Sequence, residues 1–431
     1  MRYFKKKFVI IFLLVCVVAG FALSRVPAIR SRLDWRIDLA MTAIRRQIQP
    51  VGELPTPISS GLPLPPPQVT TISLTPTPAA TADSIVQTQP TPTTSPTSEP
   101  TPTRVPLPAQ AVLTPPEIRP GDAQDWNNCG PATLALNLRY YGWGGDQHTI
   151  SDVIKPIRAD RNVNVEDLVY YVNDQASPLR AIFRVGGNLE QIKALLANGF
   201  PVMLEVGFVL PADAQGITGP SDDRWTGHYL FVTGYDDAQQ RFIVQDVYEG
   251  GNHVVAYDEA EDRWQAFNRV YIVVYRPEQE ADLQSLLGAD WDARANRQNA
   301  LDAAQADTLA NPQNPYAWFN LGTNLVYFER YQEAANAYNR ARQVGLPQRM
   351  LRYQFGPFLA YFHAGMVEEL NVISDYALKV TPNSEEALLW KGWALYRLGQ
   401  KEDALQSFRK ALDARPGYED ASYAINFVSQ N

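Results

Sequence analysis

The pattern of apolar and polar positions divides the chain into five stretches. Arg2, Lys5, Lys6 and Lys7 precede an unbroken apolar run from Phe8 to Leu23. At about 1.5 Å per residue, that run as a helix spans a little less than a bilayer core. From Leu33 to Ile48, apolar Leu33, Ile37, Ala40, Met41 and Ile44 recur at helical spacing against Arg36, Asp38, Arg45 and Arg46. Residues 50–118 lose all periodicity and are rich in Pro, Thr and Ser. Short strand and helix patterns alternate over 119–278, and the pattern is helical from 279 to the end. The expected organisation is therefore an anchor or signal segment (1–27), an amphipathic juxtamembrane helix (28–49), a disordered linker (50–118), an α+β domain (119–278) and an all-α domain (279–431).

The first stretch is read as an uncleaved, single-pass membrane helix with the globular parts outside. Basic residues flank both sides, with Arg25, Arg30 and Arg32 following the run, so charge asymmetry does not set the orientation. A cleaved signal peptide ending near Ala22 is the alternative, and it would make the protein secreted. The helix at 28–49 lies on the membrane surface, packs on a partner or is simply solvated. The Pro/Thr-rich stretch buries too little apolar area to offset chain entropy and is read as an extended tether.

The helical stretch carries a fixed period. Gly288, Gly322 and Gly356 follow one another at equal spacing, with Gly392 slightly later, and Pro312, Pro347, Pro382 and Pro416 keep pace. Trp318, Leu321, Ala334, Tyr338 and Ala341 surround Gly322. Gly399, Ala404, Phe408, Ala411 and Pro416 do the same for Gly392. This resembles the tetratricopeptide repeat, in which small residues sit where paired helices cross closely. The resemblance implies a helical superhelix that binds a protein partner on its concave face, with residues 418–429 as a closing helix. A purely structural spacer is the plainer reading.

The chain has two cysteines and four histidines, too few for a cysteine-rich metal site. Its net charge of −8 leaves no basic face for nucleic acid. No metal and no cofactor is expected. In Gln124-Asp-Trp-Asn-Asn-Cys129-Gly-Pro-Ala-Thr-Leu a loop runs into a helix: Pro131 suits its first turn, Leu134, Leu138 and Tyr141 line a face, and Gly142 stops it. Cys129 then stands at a helix N-terminus, where unpaired amides and the macrodipole favour a thiolate. A buried, inert thiol is the competing reading. It suits a polar, glycine-bearing turn poorly.

His228 opens a strand, GHYLFVTGYDD, and Arg241–Asp246 returns beside it. Folded about residue 237, the hairpin sets Asp246 opposite His228, where a carboxylate can orient an imidazole. A bulge or a one-residue slip would weaken this reading. His253 reads as a strand-end residue, His148 as part of a helix start near Ser151, and His363 as repeat packing. Gln124 lies close enough in sequence to Cys129 to donate to an oxyanion together with the Cys129 amide.

The ordered set of Gln124, Asn128-Cys129-Gly130-Pro131, Gly227-His228-Tyr229, Gly234-Tyr235-Asp236 and Asp246 resembles the C39-like peptidase family. Val247 stands where proline often follows the acid. The polar stretch from Leu210 to Gly227 is a long insertion that bears on the substrate cleft. The resemblance implies a papain-like fold and a bacterial cysteine peptidase acting on a peptide or protein substrate: Cys129 as nucleophile, His228 as base, Asp246 as its orienting carboxylate and Gln124 as oxyanion donor. A papain-like acyltransferase and a catalytically silent adaptor are the alternatives. The whole is expected to be multidomain: membrane helix, disordered linker, α+β papain-like domain and all-α superhelix.

Overall fold

The computed structural model describes residues 44, 48, 52–58, 106–119, 121–125, 127–155, 163–210 and 224–430. The apolar run at 8–23 lies outside them, as does most of the expected helix at 28–49, of which Ile44 and Ile48 are helical and exposed. No helix among the described residues is long and apolar enough to cross a membrane.

Seven strands form one antiparallel sheet: β1 (Gln110–Val112), β2 (Arg180–Arg184), β3 (Val202–Val209), β4 (Trp225–Asp236), β5 (Arg241–Asp246), β6 (Gly250–Ala256) and β7 (Tyr271–Tyr275). Their order is β2-β7-β3-β4-β5-β6, with β1 paired to the end of β4. Both faces are covered. Along β3 and β4 the alternation sends Met203, Tyr229 and Phe231 to one side and Val202, Leu204, Leu230 and Val232 to the other. The first side receives α1 (Cys129–Tyr140) and α3 (Val165–Gln175) through Leu134, Leu138, Leu168 and Val172, while α2 (Gln147–Ile154) packs on α1. The second side receives α4 (Leu189–Ala197), α5 (Tyr257–Trp264) and α6 (Glu280–Leu287) through Ile192, Leu195, Trp264 and Leu283. Because both faces are dry, these strands read as continuous apolar runs in the sequence.

The remaining helices form an array: α7 (Ala293–Ala310), α8 (Pro315–Tyr327), α9 (Tyr331–Val344), α10 (Gly356–His363), α11 (Val367–Val380), α12 (Glu385–Arg397), α13 (Lys401–Ala414) and α14 (Glu419–Gln430). The glycine spacing has a direct cause at two places. A Cβ on Gly322 would sit 2.7 Å from the Tyr338 ring, and one on Gly392 would sit 2.3 Å from the Phe408 ring. Only glycine lets the paired helices approach this closely. The four prolines fall in the turns after α7, α9, α11 and α13, where no helical N–H is needed.

Three expectations are corrected. Gly288 heads no repeat: it has φ +55° and ends α6, which buries Leu283 and Leu287 in the core of the sheet domain. The sheet domain therefore extends past 278, and the array begins at α7. The tether assigned to 50–118 is shortened at both ends. Residues 110–112 are a strand of the sheet, Tyr235 donates to the Pro108 carbonyl at 2.6 Å, and Ile118 packs on the first core. Residues 52–58 lie on the helical array, with Leu54 buried. Such short segments look like linker by composition because each buries only a residue or two, and the surface that receives them is supplied by distant sequence.

Sheet domain and array share one core. Trp225 stacks on Phe267, and Tyr353 from the turn before α10 meets both rings edge-on. Asn268 and Asn324 exchange side-chain hydrogen bonds at 2.8 and 3.2 Å. Asn296 of α7 bonds both the N–H and the C=O of Val185. Arg269 bridges Glu261 and Asp307.

Candidate active site

Cys129 is the first residue of α1 and is half-buried. The helix starts there because the preceding loop is tied down from several sides. Asp122 pairs with Arg139 one end of the helix away, at 2.6 and 2.8 Å. Gln147, buried at the start of α2, accepts from the Asp125 amide and the Asn128 side chain through Oε1. Its Nε2 donates to the carbonyls of Gly121 and Ala123. Lys155 donates to the Asn127 carbonyl, and Asn127 has φ +53°. Pro131 is the third helical residue, still within the first turn where its missing N–H costs nothing. The helix ends at Tyr140 and Gly142 takes φ +92°, as its sequence position implied.

His228 and Asp246 come together as Nε2···Oδ1 at 2.9 Å, and both are almost fully buried. The route differs from the expected one. The hairpin turns over a four-residue loop, so Asp236 pairs with Arg241, Tyr235 with Phe242 and Gly234 with Ile243. Continued unbroken, that register would set Asp246 opposite Phe231, on the other face from His228. Instead a bulge at Thr233 inserts one residue into β4, after which Val232 faces Val244 and Phe231 faces Gln245. Asp246 then shares the face of His228 as its diagonal neighbour. The bulge feared as a weakness is what brings the pair together. Gln245 holds it in place, donating to Thr233 Oγ1 at 3.0 Å and spanning to Asn252.

β4 also begins earlier than expected, at Trp225, so His228 lies inside the strand. Its pairing with β5 stops at Phe231, which leaves residues 225–230 with β3 alone. The start of α1 lies against this section. The Tyr229 ring packs on Gly130, Thr133 Oγ1 donates to the Tyr229 carbonyl, and the Gln124 amide donates to the Val247 carbonyl at 3.0 Å. Here Cys129 comes near enough to the His228 ring to favour its charged form, and the ring's Nε2 is engaged by Asp246.

The electrostatics follow from these contacts. Burial disfavours the charged imidazole. Hydrogen bonds and charge from Asp246 and Cys129 outweigh burial and lift His228 from 6.5 to about 10. Burial likewise opposes the Asp246 carboxylate, but His228 and the amides of Tyr248 (2.7 Å) and Glu249 (3.2 Å) hold it below the ordinary range. Phe208 lies 5.5 Å from the His228 ring, centroid to centroid, and closes one side.

Gln124 lies in the same loop, half-buried, with its side-chain oxygen buried and unpartnered. The other histidines are elsewhere. His253 faces Val244 on β6, His148 is exposed in a helix that starts at Gln147, ahead of Ser151, and His363 stacks on Tyr331. Among the described residues no cluster of His, Cys, Asp and Glu has the form of a metal site.

Sequence reasoning missed Gln147, an unremarkable polar residue until its four bonds are seen. It also missed Glu205. This half-buried carboxyl belongs to the residue paired with Tyr229 across β3 and β4. Desolvation, then the neighbouring charges of Cys129 and Glu166, push it well above the ordinary carboxylate range. A signal existed: Glu205 is the one charged residue in the strand VMLEVGFV.

A two-faced antiparallel sheet, with a helix-start cysteine beside a strand histidine, defines a papain-like α+β domain. Residues 103–272 match the family model described as Peptidase_C39 like, and residues 385–418 match a tetratricopeptide repeat model. The chain thus carries a C39-like peptidase domain followed by tetratricopeptide repeats. Similar solved structures include a putative C39-like peptidase from Bacillus anthracis, at 17% identity over 39% of this chain and 98% of that one, with a TM-score of 0.29. Xylellain, a cysteine protease from Xylella fastidiosa, is 15% identical over 40% of this chain and 87% of that one, with a TM-score of 0.30. The MamA RS-1 ArsTM double mutant is 14% identical over 36% of this chain and 83% of that one, with a TM-score of 0.29. No curated protein matches the chain.

Proposed function

We propose that the protein is a cysteine peptidase that hydrolyses peptide bonds by acyl transfer through Cys129, His228 and Asp246. The observation that carries this reading is the buried His228–Asp246 hydrogen bond at 2.9 Å, with the helix-start Cys129 near enough to favour the charged form of the same ring. In the first step Cys129 sulfur attacks the peptide carbonyl carbon, forming the thioester, while His228 passes its proton to the departing amine. Water then adds to the thioester, with His228 taking its proton, and the acid leaves as the thiol re-forms. Asp246 holds the imidazole in one tautomer and stabilises its charged form. The Cys129 amide and the Gln124 side chain are the proposed donors to the oxyanion.

The apolar run at 8–23 is proposed as a single membrane anchor that keeps the globular parts outside a bacterial cell, and the helical array as a site for a protein partner. The test of the peptidase reading is a peptide-library digestion by residues 52–431, comparing wild type with Cys129→Ala. Products are expected from the wild type alone. The same products from both proteins would sink the reading.

A further inference from the structure

The clearest feature left over lies far from Cys129. Residues 52–58 (Gly-Glu-Leu-Pro-Thr-Pro-Ile) run across the second helices of two successive helix pairs, α9 and α11. Arg342 of α9 and Glu369 of α11 form an ion pair at 2.8 Å, with side chains 1% and 4% exposed. Each partner has hydrogen-bonding capacity left over, and the segment's main chain takes it up. Arg342 donates twice to the Pro55 carbonyl, at 3.0 and 2.7 Å. Glu369 accepts through its second oxygen from the Ile58 amide at 2.5 Å. Tyr376 donates to the Gly52 carbonyl at 3.0 Å. The remaining Arg342 contact goes to Tyr361, which is itself held by Asn339.

Buried charges whose spare donors and acceptors have no partner are expensive, so natural proteins satisfy them. Here the satisfaction comes in part from one carbonyl and one amide three residues apart on a short segment without regular secondary structure. That pattern reads a backbone, and a proline between the two contacts removes an N–H that would otherwise go unpaired. Side-chain selection comes from Leu54, 7% exposed and part of the large apolar core. Pro-Thr-Pro recurs at 76–78, 90–92 and 100–102, but Thr75, Gln89 and Glu99 precede those copies. Only the copy at 55–57 has a large apolar residue immediately before it.

We propose that this groove is a docking site for a proline-bearing main chain, and that its occupant is the chain's own segment 52–58, chosen among the four copies by Leu54. The N-terminal part is thereby fastened to the repeat array. The chain meets the folded body at 52–58 as well as at 106–119.

The experiment is hydrogen–deuterium exchange with mass spectrometry on the full chain. In the wild type the segment 52–58, whose Ile58 amide donates to Glu369, should exchange more slowly than a free peptide of the same sequence. Leu54→Asp should abolish that protection while the amides of α9 and α11 stay protected. Ile58→Pro, which deletes one donor and leaves the array untouched, gives the same result by a second route. A synthetic peptide of residues 51–60 added to the Leu54→Asp chain should lower exchange at the groove, and one of residues 72–81 should not. Free-peptide exchange rates in the wild type would overturn the proposal. So would protection that survives both substitutions, or protection that grows with protein concentration alongside a dimer, since the occupant would then be a second copy.

Discussion

At the scale of single residues, the site rests on one imidazole held between sulfur and carboxylate. The folded-state pKa of His228 is raised from 6.5 to about 10, so its contribution to stability is fully present below 6.5 and is lost as pH rises toward 10. The activity limb has the same sign. The proposed acid is charged below about 10 and spent above it, so the alkaline limb of kcat/KM should fall near 10. Asp246 is the larger of the two supports of that charge. Asp246→Asn should therefore move the alkaline limb to lower pH and reduce kcat/KM, within the roughly 10²–10⁴-fold that acid–base catalysis contributes. A pH–rate profile checks this, and an unmoved alkaline limb would count against the assignment. Cys129, His228 and Asp246 stood out as candidates by residue type, while the register that brings the last two together differs from the expected one. Gln147 and Glu205 did not stand out, because a glutamine that organises a loop and a glutamate that faces a tyrosine declare themselves only through neighbours brought from elsewhere.

At the scale of elements, the bulge at Thr233 decides which face Asp246 points to. Deleting Thr233 returns β4 and β5 to the register set by their turn, and Asp246 then leaves the His228 face. The expected outcome is a chain that retains its far-ultraviolet circular dichroism and loses the His228-dependent labelling of Cys129 by a thiol probe. Labelling that persists at the wild-type rate would show that the bulge has no part in the site. The hairpin itself was readable from the turn residues and the two apolar runs. The bulge was not placed, since Gly234 within the strand hints at one without fixing which residue bulges or which way the register shifts. It exists because Thr233 can be fully buried while bonded to Gln245 and Ile243. The helix pairs behave oppositely: their glycines announce close crossing directly, and the misplaced one, Gly288, shows that spacing alone does not distinguish a crossing point from a helix end.

At the scale of the molecule, the sheet domain and the array are joined by a stacked aromatic group and by buried amides, with Trp225 on the same strand as His228 and Tyr353 packed on it from the array. Thr226 and Tyr353 hydrogen-bond at 2.7 Å, which ties the array to the strand that carries the histidine. The two parts should therefore unfold together. Calorimetry on residues 52–431 should show one transition, and residues 106–292 alone should melt lower, since burial of a single large side chain such as Trp225 or Phe267 contributes about 1.5–3 kcal/mol. Two well-separated transitions in the longer protein, the first matching the isolated domain, would refute a shared core.

The amino-acid sequence by itself determined that an α+β domain precedes the helical repeats, and which cysteine, histidine and aspartate are candidates for the site. These follow from short-range physics: apolar periodicity, helix-start geometry, and residue types that few positions in this chain supply. The tertiary structure decided the register that unites His228 with Asp246, the carboxyl that faces the site from β3, the true start of the array and the docking of 52–58. Each of these depends on contacts between residues far apart in the chain, where the free energy lies in the fit of two surfaces and neither surface is visible in its own stretch of sequence.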